Sequence, residues 1–176
     1  MSIERTLKIY KEDHNQQVPE NERAEWHNST DQLHRECDRP AVVDGNYQAY
    51  YKNGKLHRDG SLPAVINRPR LEWWKNGALG YNRMDDGTYD DSEDKPSIID
   101  GNKQEYYKNG ILHRNRNFGP AISDRDNNIY KYYEEGQEVF VGEIICDTAE
   151  NRRRYAKTAP HFIEEFNRKG YIVRSY

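Results

Sequence analysis

Apolar and polar residues alternate in short runs along most of this chain, and pairs such as Asn-Gly and Asp-Gly separate the runs. Alternation with a period of two predicts β-strands, and Asn-Gly between two such runs favours a type I′ hairpin turn. The pairs that this register predicts around Asn53-Gly54 are Lys52 with Lys55, Tyr51 with Leu56, and Tyr50 with His57. Asp-Gly within VVDGNY (42–47) and IIDGNK (98–103) predicts a second kind of hairpin.

The hairpin pattern recurs at a nearly constant interval. The turn glycines stand at Gly54, Gly77, Gly110 and Gly136. The prolines that open each Pro-Ala-like segment stand at Pro40, Pro63, Pro96 and Pro120. The first and last intervals between these prolines are 23 and 24 residues, and the middle one, of 33, places an insertion in the third unit. Periods of this length indicate serial supersecondary units that must pack on their neighbours, because one unit buries too little surface alone.

The two ends of the chain differ from the repeats. Residues 5–11 (RTLKIYK) predict a strand, and 14–22 predict a polar linker. After Gly142 the period changes: a cap at Asp147 or Thr148 precedes NRRRYAK, and PHFIEEFNRKG has proline at its start and glycine at its end, which predicts two helices. YIVRSY predicts a last short strand. The expected organisation is therefore an N-terminal strand and linker (1–22), β-hairpin repeats (23–142) and a helical cap (143–176).

The units YYKNGKLHRDGSLPAVI and YYKNGILHRNRNFGPAI carry an aromatic-x-x-Gly-x-x-His-Arg-x-x-Gly-Pro-Ala signature. This signature resembles the variant MORN-like repeats of proteins from bacteriophages and large DNA viruses. The resemblance covers residues 25–140, with two close units and three degenerate ones. It implies a mainly β fold, an antiparallel β-hairpin repeat meander, here followed by a C-terminal α-helical segment. It also implies a binding or scaffolding role, without naming a ligand.

Composition narrows the class of protein. Only 34% of the residues are hydrophobic and 32% are charged, which predicts a thin core, while 12% aromatic residues argue against disorder. The formal charge of −3 predicts no general attraction to nucleic acid or to anionic membranes. Two distant cysteines, Cys37 and Cys146, are expected to be free thiols. Without an apolar leader or a membrane-spanning run, the protein is expected to be cytoplasmic, in the host cytoplasm if viral.

The repeated His-Arg pairs are the sharpest candidates for chemistry; they are His34-Arg35, His57-Arg58 and His113-Arg114. A histidine could act as a general base beside an arginine that holds an anion. Three copies at one repeat position favour packing instead. In the third unit the His-Arg positions become Gly80-Tyr81 and the facing tyrosine becomes Trp73, which is how a packing pair changes.

Adjacent strand residues point to opposite faces, so one face of the hairpins should join the core. That face holds Tyr51, Trp74 and Tyr107 with Leu56, Leu79 and Leu112. The opposite face should be a half-exposed stripe able to stack a base or a partner's side chain. The binding residues predicted on this stripe are Tyr50, His57, Arg58, Trp73, Tyr81, Tyr106, His113 and Arg114.

Two charged segments favour solvated surfaces. The insertion 84–95 (MDDGTYDDSEDK) lacks the spacing of a calcium loop, and could engage a basic partner. The run of Arg152, Arg153, Arg154 and Lys157 is expected to face solvent rather than nucleic acid.

The sequence therefore predicts a non-catalytic scaffold that binds a protein partner, as a viral or phage accessory factor that neutralises a host component. No enzyme activity, metal or cofactor is expected. Two alternatives stay open: a small-ligand or nucleotide binder that uses the Tyr/His/Arg stripe, and a hydrolase that uses a repeat histidine. An exposed sheet edge also leaves homo-oligomerisation open.

Overall fold

The computed structural model describes residues 6–10, 18, 22–80 and 94–174. Its elements, in chain order, are β1 (Thr6–Tyr10), β2 (Glu22–Trp26), β3 (Val42–Asp44), β4 (Tyr47–Ala49), β5 (Tyr51–Lys52), β6 (Lys55–Leu56), β7 (Val65–Asn67), β8 (Arg70–Glu72), β9 (Trp74–Lys75), β10 (Ala78–Leu79), β11 (Ile98–Asp100), β12 (Lys103–Glu105), β13 (Tyr107–Lys108), β14 (Ile111–Leu112), β15 (Ile122–Asp124), β16 (Ile129–Lys131), β17 (Tyr133–Glu134), β18 (Gln137–Glu138), β19 (Glu143–Cys146), α1 (Ala149–Thr158), α2 (Pro160–Lys169) and β20 (Tyr171–Arg174). The protein is thus mainly β with two C-terminal helices.

Ten of these strands form one mixed sheet, in the order β1-β2-β3-β4-β7-β8-β11-β12-β15-β16. The predicted N-terminal strand is β1, which pairs in parallel with β2, whereas the other neighbours in this sheet are antiparallel. Asp44 pairs with Tyr47 across the first Asp-Gly hairpin, so the central turn residues are Gly45 and Asn46. The central residues of this turn therefore lie one position later than the predicted Asp-Gly pair.

The three Asn-Gly hairpins and the Glu135-Gly136 hairpin form four separate two-stranded sheets, β5-β6, β9-β10, β13-β14 and β17-β18. The prediction of one continuous meander is wrong in this respect, because consecutive hairpins lie alternately in the large sheet and outside it. The predicted register is confirmed: Tyr51 pairs with Leu56, and the His57 backbone N–H donates to the Tyr50 carbonyl at 3.0 Å.

The four short hairpins have the predicted turn geometry and are linked to one another. Asn53 and Gly54 both have positive φ, 49° and 75°, as a type I′ turn requires. The turn glycine of each hairpin donates its backbone N–H to a leucine carbonyl of the preceding unit. The pairs are Gly54 to Leu33, Gly77 to Leu56, Gly110 to Leu79 and Gly136 to Leu112, at 2.8–2.9 Å.

The hairpin row packs against one face of the large sheet. Val42, Ala49 and Val65 of the sheet form a buried cluster, against which Tyr51, Leu56 and Trp74 of the hairpins pack. The face that carries the leucines is therefore the core face, as predicted. The residues after the repeat prolines are small and fully buried where sheet and hairpins meet; they are Ala41, Ala64, Ser97 and Ala121.

The C-terminal segment packs against the last unit. The predicted helix signals are confirmed: the Thr148 side chain accepts from the Asn151 N–H at the start of α1, Pro160 begins α2, and Gly170 ends α2 with a φ of 82°. The Tyr171 ring lies 4.5 Å from the Tyr130 ring, and the Tyr130 hydroxyl donates to the Gly170 carbonyl. This contact covers part of β16, the last strand of the large sheet.

The apolar face of α2 and the pair β19-β20 make a third buried cluster. Its buried members are Ile145, Phe166 and Ile172, and Phe162 and Ile163 pack against them. Phe162, Ile163 and Phe166 lie at helical spacing in the sequence and therefore share one face of α2. None of the helices in the described ranges has the length and apolar character needed to cross a membrane.

Candidate functional site

The repeat histidines hold the turn of the following hairpin. In three units the imidazole Nδ1 accepts the backbone N–H of the first turn residue one hairpin further on. The pairs are His34 with Asn53 at 3.1 Å, His57 with Asn76 at 3.1 Å, and His113 with Glu135 at 3.0 Å. A backbone N–H can only donate, so this Nδ1 carries no proton in these contacts.

Arg58 connects three segments of the chain. Its guanidinium lies 3.7 Å from the centroid of the Tyr50 ring. It donates from Nε and Nη2 to the two carboxylate oxygens of Asp38, at 2.7 and 2.9 Å, and from Nη1 to the Pro63 carbonyl at 3.0 Å. The hydrogen bonds from Arg58 hold the pKa of the Asp38 carboxyl below its usual value.

Arg114 repeats this arrangement two units later, with the hairpin β9-β10 between them. Its guanidinium lies 3.7 Å from the Tyr106 ring centroid, and Nη1 donates to the Pro120 carbonyl at 2.9 Å. Nε and Nη2 both donate to Asp94, the former at 2.8 Å. Asp38 and Asp94 each stand two residues before a repeat proline, so the contact belongs to the repeat itself.

The expectation of a half-exposed aromatic stripe is wrong for its central residues. Tyr50, Tyr106 and His57 are only 7%, 8% and 6% exposed. The reason is that an arginine covers each tyrosine ring and the following hairpin covers the histidine. Burial also raises the pKa of the Tyr50 and Tyr106 hydroxyls.

The predicted binding residues do not meet in one site. Tyr50, His57 and Arg58 border a small pocket of about 80 Å³, whereas Tyr106 and Arg114 border another of about 330 Å³. Trp73 is partly exposed and donates its indole N–H to the Ser61 carbonyl at 2.9 Å. His113 is partly buried. Tyr81 lies outside the described residues, as does the insertion apart from Asp94 and Lys95.

The third unit changes every partner in this contact together. Gly80 pairs with Trp73 through its backbone N–H at 3.0 Å, as His57 pairs with Tyr50. Ser61, two residues before Pro63, stands where the other units have Asp38 and Asp94. The acid, the arginine and the tyrosine are thus replaced as a group.

The last unit replaces the same positions with apolar residues. The Val139 backbone N–H donates to the Tyr132 carbonyl at 2.8 Å, which identifies Val139 and Phe140 as the counterparts of His57 and Arg58. Phe118, two residues before Pro120, stands in the position of the aspartate. Phe118 is 55% exposed and Phe140 is 82% exposed. Two exposed phenylalanines therefore occupy the positions that hold the Arg58–Asp38 and Arg114–Asp94 ion pairs in two other units.

A groove of about 760 Å³ lies between the loop 115–119 and α2, and its lining includes Phe118 and Val141, the residue after Phe140. Arg116, Phe162, Arg168 and Ile172 also line it. The pocket of about 330 Å³ adjoins it and shares Phe118, Arg168, Lys169 and Tyr171. We call these two connected cavities the C-terminal groove.

Close packing fixes the wall of this groove. A Cβ atom on Gly119, whose φ is 136°, would lie 2.9 Å from Arg114 Nη1 and 3.1 Å from the Tyr171 hydroxyl. The Tyr132 hydroxyl donates to the Tyr171 hydroxyl at 3.2 Å, and burial raises the pKa of Tyr171 well above its usual value. The loop and the cap are therefore held together without a side chain at position 119.

The basic run on α1 lies largely as predicted. Arg153, Arg154 and Lys157 are exposed on α1, but Arg152 binds Asp147 through Nε at 2.5 Å. Both cysteines are free. In the parts of the chain that the structure describes, no three His, Cys, Asp or Glu side chains form a group that could hold a metal ion.

Phe118, Phe140 and the C-terminal groove were not among the sites predicted from the sequence. Aligning the last unit, YYEEGQEVF, on the turn glycine places Val139-Phe140 at the His-Arg positions, so this signal was present. Comparison of the chain with protein-family models, curated proteins and solved structures finds no match. The MORN-like resemblance therefore rests on the repeat signature alone.

Proposed function

We propose that this protein is a non-catalytic repeat scaffold of the MORN-like kind that binds a protein partner at its C-terminal end. The observation that carries the proposal is the replacement of a repeated Arg-Asp contact by two exposed phenylalanines, Phe140 and Phe118, of which Phe118 lines a groove. Burying a phenylalanine side chain contributes about 1.5–3 kcal/mol, so two of them form an effective hydrophobic anchor. Aromatic side chains are enriched at the centres of protein interfaces.

The contacts of the repeat motif favour a scaffold over the two alternatives. A nucleotide binder needs accessible rings, but Arg58 and Arg114 already stack on Tyr50 and Tyr106. A hydrolase needs a histidine nitrogen that can accept a proton from its substrate, but a backbone N–H occupies Nδ1 of each repeat histidine. On His57, Nε2 also lies 2.8 Å from Asp59, and the hydrogen bond from His57 lowers the pKa of this aspartate.

The biological setting rests on the sequence. We propose in addition that the protein acts inside a cell, that it is viral, and that its partner is a host component. Composition favours the first point, and the MORN-like resemblance favours the other two.

Site-specific photo-crosslinking in the source cells tests the proposed surface. A benzophenone side chain at position 140 should give a discrete crosslinked species, which mass spectrometry identifies. The same group at Leu62, an exposed apolar residue of a middle unit, is the matched control. The purified partner should then bind the wild-type protein and bind Phe118→Ser/Phe140→Ser at least tenfold more weakly. Equal crosslinking from both positions, or unchanged binding by the double variant, would contradict the proposal.

A further inference from the structure

The C-terminal groove combines an apolar lining with a positively charged rim. Five Arg or Lys side chains line its two cavities: Arg114, Arg116, Arg125, Arg168 and Lys169. Three carboxylates are paired with them, Asp94 with Arg114, Glu134 with Arg116, and Glu165 with both Arg168 and Lys169. The groove therefore has two more positive than negative side chains, although the whole chain has a formal charge of −3.

Arg125 is the least compensated of these cations. Within the described ranges it has no carboxylate at ion-pair distance, and its Nη2 lies 3.5 Å from the Arg168 carbonyl near the end of α2. Part of the local positive charge thus offsets the partial negative charge at the C-terminal end of this helix. Arg168 and Lys169, which share Glu165, keep exposed side chains that can accept a further negative group.

The apolar part of the groove lies directly beside this charge. Phe118 borders both cavities, and Phe162, Val141 and Ile172 extend the apolar surface on the side of the cap. His161 and Arg116 also line this larger cavity. A ligand that fills the groove must therefore present an apolar group to Phe118 and negative groups to Arg168 and Lys169.

We propose that the C-terminal groove binds an acidic segment of a partner protein that carries a large apolar side chain. The apolar side chain packs between Phe118 and Phe162, and neighbouring Asp or Glu side chains pair with Arg125, Arg168 and Lys169. This assignment rests on the proposed function and specifies the partner's chemistry. Complementary charge increases the rate and selectivity of such an association, while the buried apolar anchor slows dissociation.

A protein segment fits this groove better than nucleic acid does. Glu165 lies in the wall of the groove. Its carboxylate would repel the phosphates of a nucleic acid strand that runs along the groove. Two uncompensated positive charges give little counterion release, which is the main source of affinity for nucleic acid. The exposed ring of Phe118 in the groove matches the apolar anchors of protein interfaces.

Selection from a random dodecapeptide display library tests the proposed chemistry even while the partner is unidentified. The full-length protein is the target, and Phe118→Ser/Phe140→Ser is used for counter-selection. Both substituted residues are exposed, and an unchanged melting temperature confirms that the variant folds. Enriched peptides should contain several Asp or Glu and at least one of Leu, Ile, Phe, Trp or Met. Basic or uncharged consensus peptides, or no enrichment over the variant, would overturn the proposal.

Fluorescence anisotropy with the most enriched peptide measures the contribution of each part of the groove. Arg168→Gln/Lys169→Gln should weaken binding about tenfold, and raising the salt from 50 to 300 mM should weaken it several-fold. Arg153→Gln/Arg154→Gln removes the same charge from the exposed face of α1 and should leave the affinity unchanged. Equal losses in both charge variants, or tighter binding of a single-stranded dodecanucleotide than of the peptide, would overturn the assignment.

The crosslinked partner separates this inference from the proposed function. If its binding depends on Phe118 and Phe140 but not on Arg168 and Lys169, the scaffold function stands and the acidic segment is wrong. If neither pair of substitutions affects its binding, the C-terminal surface is not the contact and both proposals fail.

Discussion

The hairpin β5-β6 and the last hairpin, β17-β18, have the same turn conformation. They differ in the two residues that follow their second strand. Both turns have positive φ at their two central residues, 49° and 75° in the former, 48° and 79° in the latter. After β6 the chain continues with His57 and Arg58, and after β18 with Val139 and Phe140. The backbone geometry is thus retained while the side chains change completely.

The neighbour of each hairpin explains this difference. His57 and Arg58 lie where another repeat unit comes next, and their polar groups bind its turn and its proline carbonyl. After the last hairpin the cap comes next instead, and Val139 packs with the buried tyrosines Tyr130, Tyr132 and Tyr171. The His-Arg pair therefore forms a contact between units. The last unit, which no further unit follows in the repeat array, lacks this pair.

The cap should contribute the largest single stabilisation in this comparison. Tyr171→Ala removes a buried ring from the cluster with Tyr130 and Tyr132, which should lower the free energy of unfolding by about 3–5 kcal/mol. Urea denaturation followed by circular dichroism measures this change. Tyr171→Phe keeps the ring and should cost only about 1 kcal/mol. Equal effects of the two substitutions would show that the hydroxyl contact, not the packed ring, holds the cap.

The repeat histidine should have a smaller but clear effect. His57→Ala removes the acceptor of the Asn76 N–H and opens space at a buried position, which should cost about 2 kcal/mol. The exposed His161 on α2 is the control, and its substitution by alanine should change stability by less than about 0.5 kcal/mol. Equal costs in urea denaturation would remove the basis for treating His57 as a contact between units.

Exchanging the two kinds of contact should separate stability from binding. Phe118→Asp with Phe140→Arg places the middle-unit residues in the last unit. Since both phenylalanines are exposed and surface ion pairs contribute about 0–1 kcal/mol, stability should change by less than about 1 kcal/mol. Partner binding should be lost. A cost above about 2 kcal/mol in the double variant would instead identify the phenylalanines as core residues.

The pH dependence of the Arg58-Asp38 contact should be the smallest effect. Arg58 lowers the pKa of Asp38 in the folded protein, so this contribution is present above the unfolded value of about 3.9 and disappears as the pH falls through the folded value. Asp38→Asn should therefore cost at most about 1 kcal/mol at pH 7, and this cost should decrease as the pH falls through the folded pKa of Asp38. Phe118→Asn in the last unit should show no such pH dependence. A cost of Asp38→Asn that is constant from pH 7 to pH 2 would contradict the assignment.

Local features of this fold were predictable because local chemistry determines them. Asn53-Gly54 requires positive φ, Thr148 caps a helix, and Pro160 and Gly170 delimit α2. Each of these signals lies within a few residues of the structure that it specifies. The hairpin register was predictable for the same reason.

The division of the hairpins between two layers was not predictable in this way. Strand alternation shows that two faces differ, but it does not show whether consecutive hairpins share a sheet. Tyr50 was expected to be half-exposed, because strand alternation does not show that Arg58 and the following unit cover its ring. The C-terminal groove likewise joins the loop 115–119 to α2, some 40 residues apart in the sequence.

Nitrogen-15 NMR of the histidine side chains tests the central claim most directly. If the repeat histidines are contacts between units, His34, His57 and His113 must each be the Nε2–H tautomer at pH 7, with Nδ1 accepting a backbone N–H. A long-range ¹⁵N–¹H correlation spectrum distinguishes this tautomer from the others through the two ring nitrogen shifts, and His161 serves as the exposed reference. We expect an unprotonated Nδ1 in all three repeat histidines. A proton on Nδ1 of His57 would contradict the account, because that nitrogen could not then accept the Asn76 N–H.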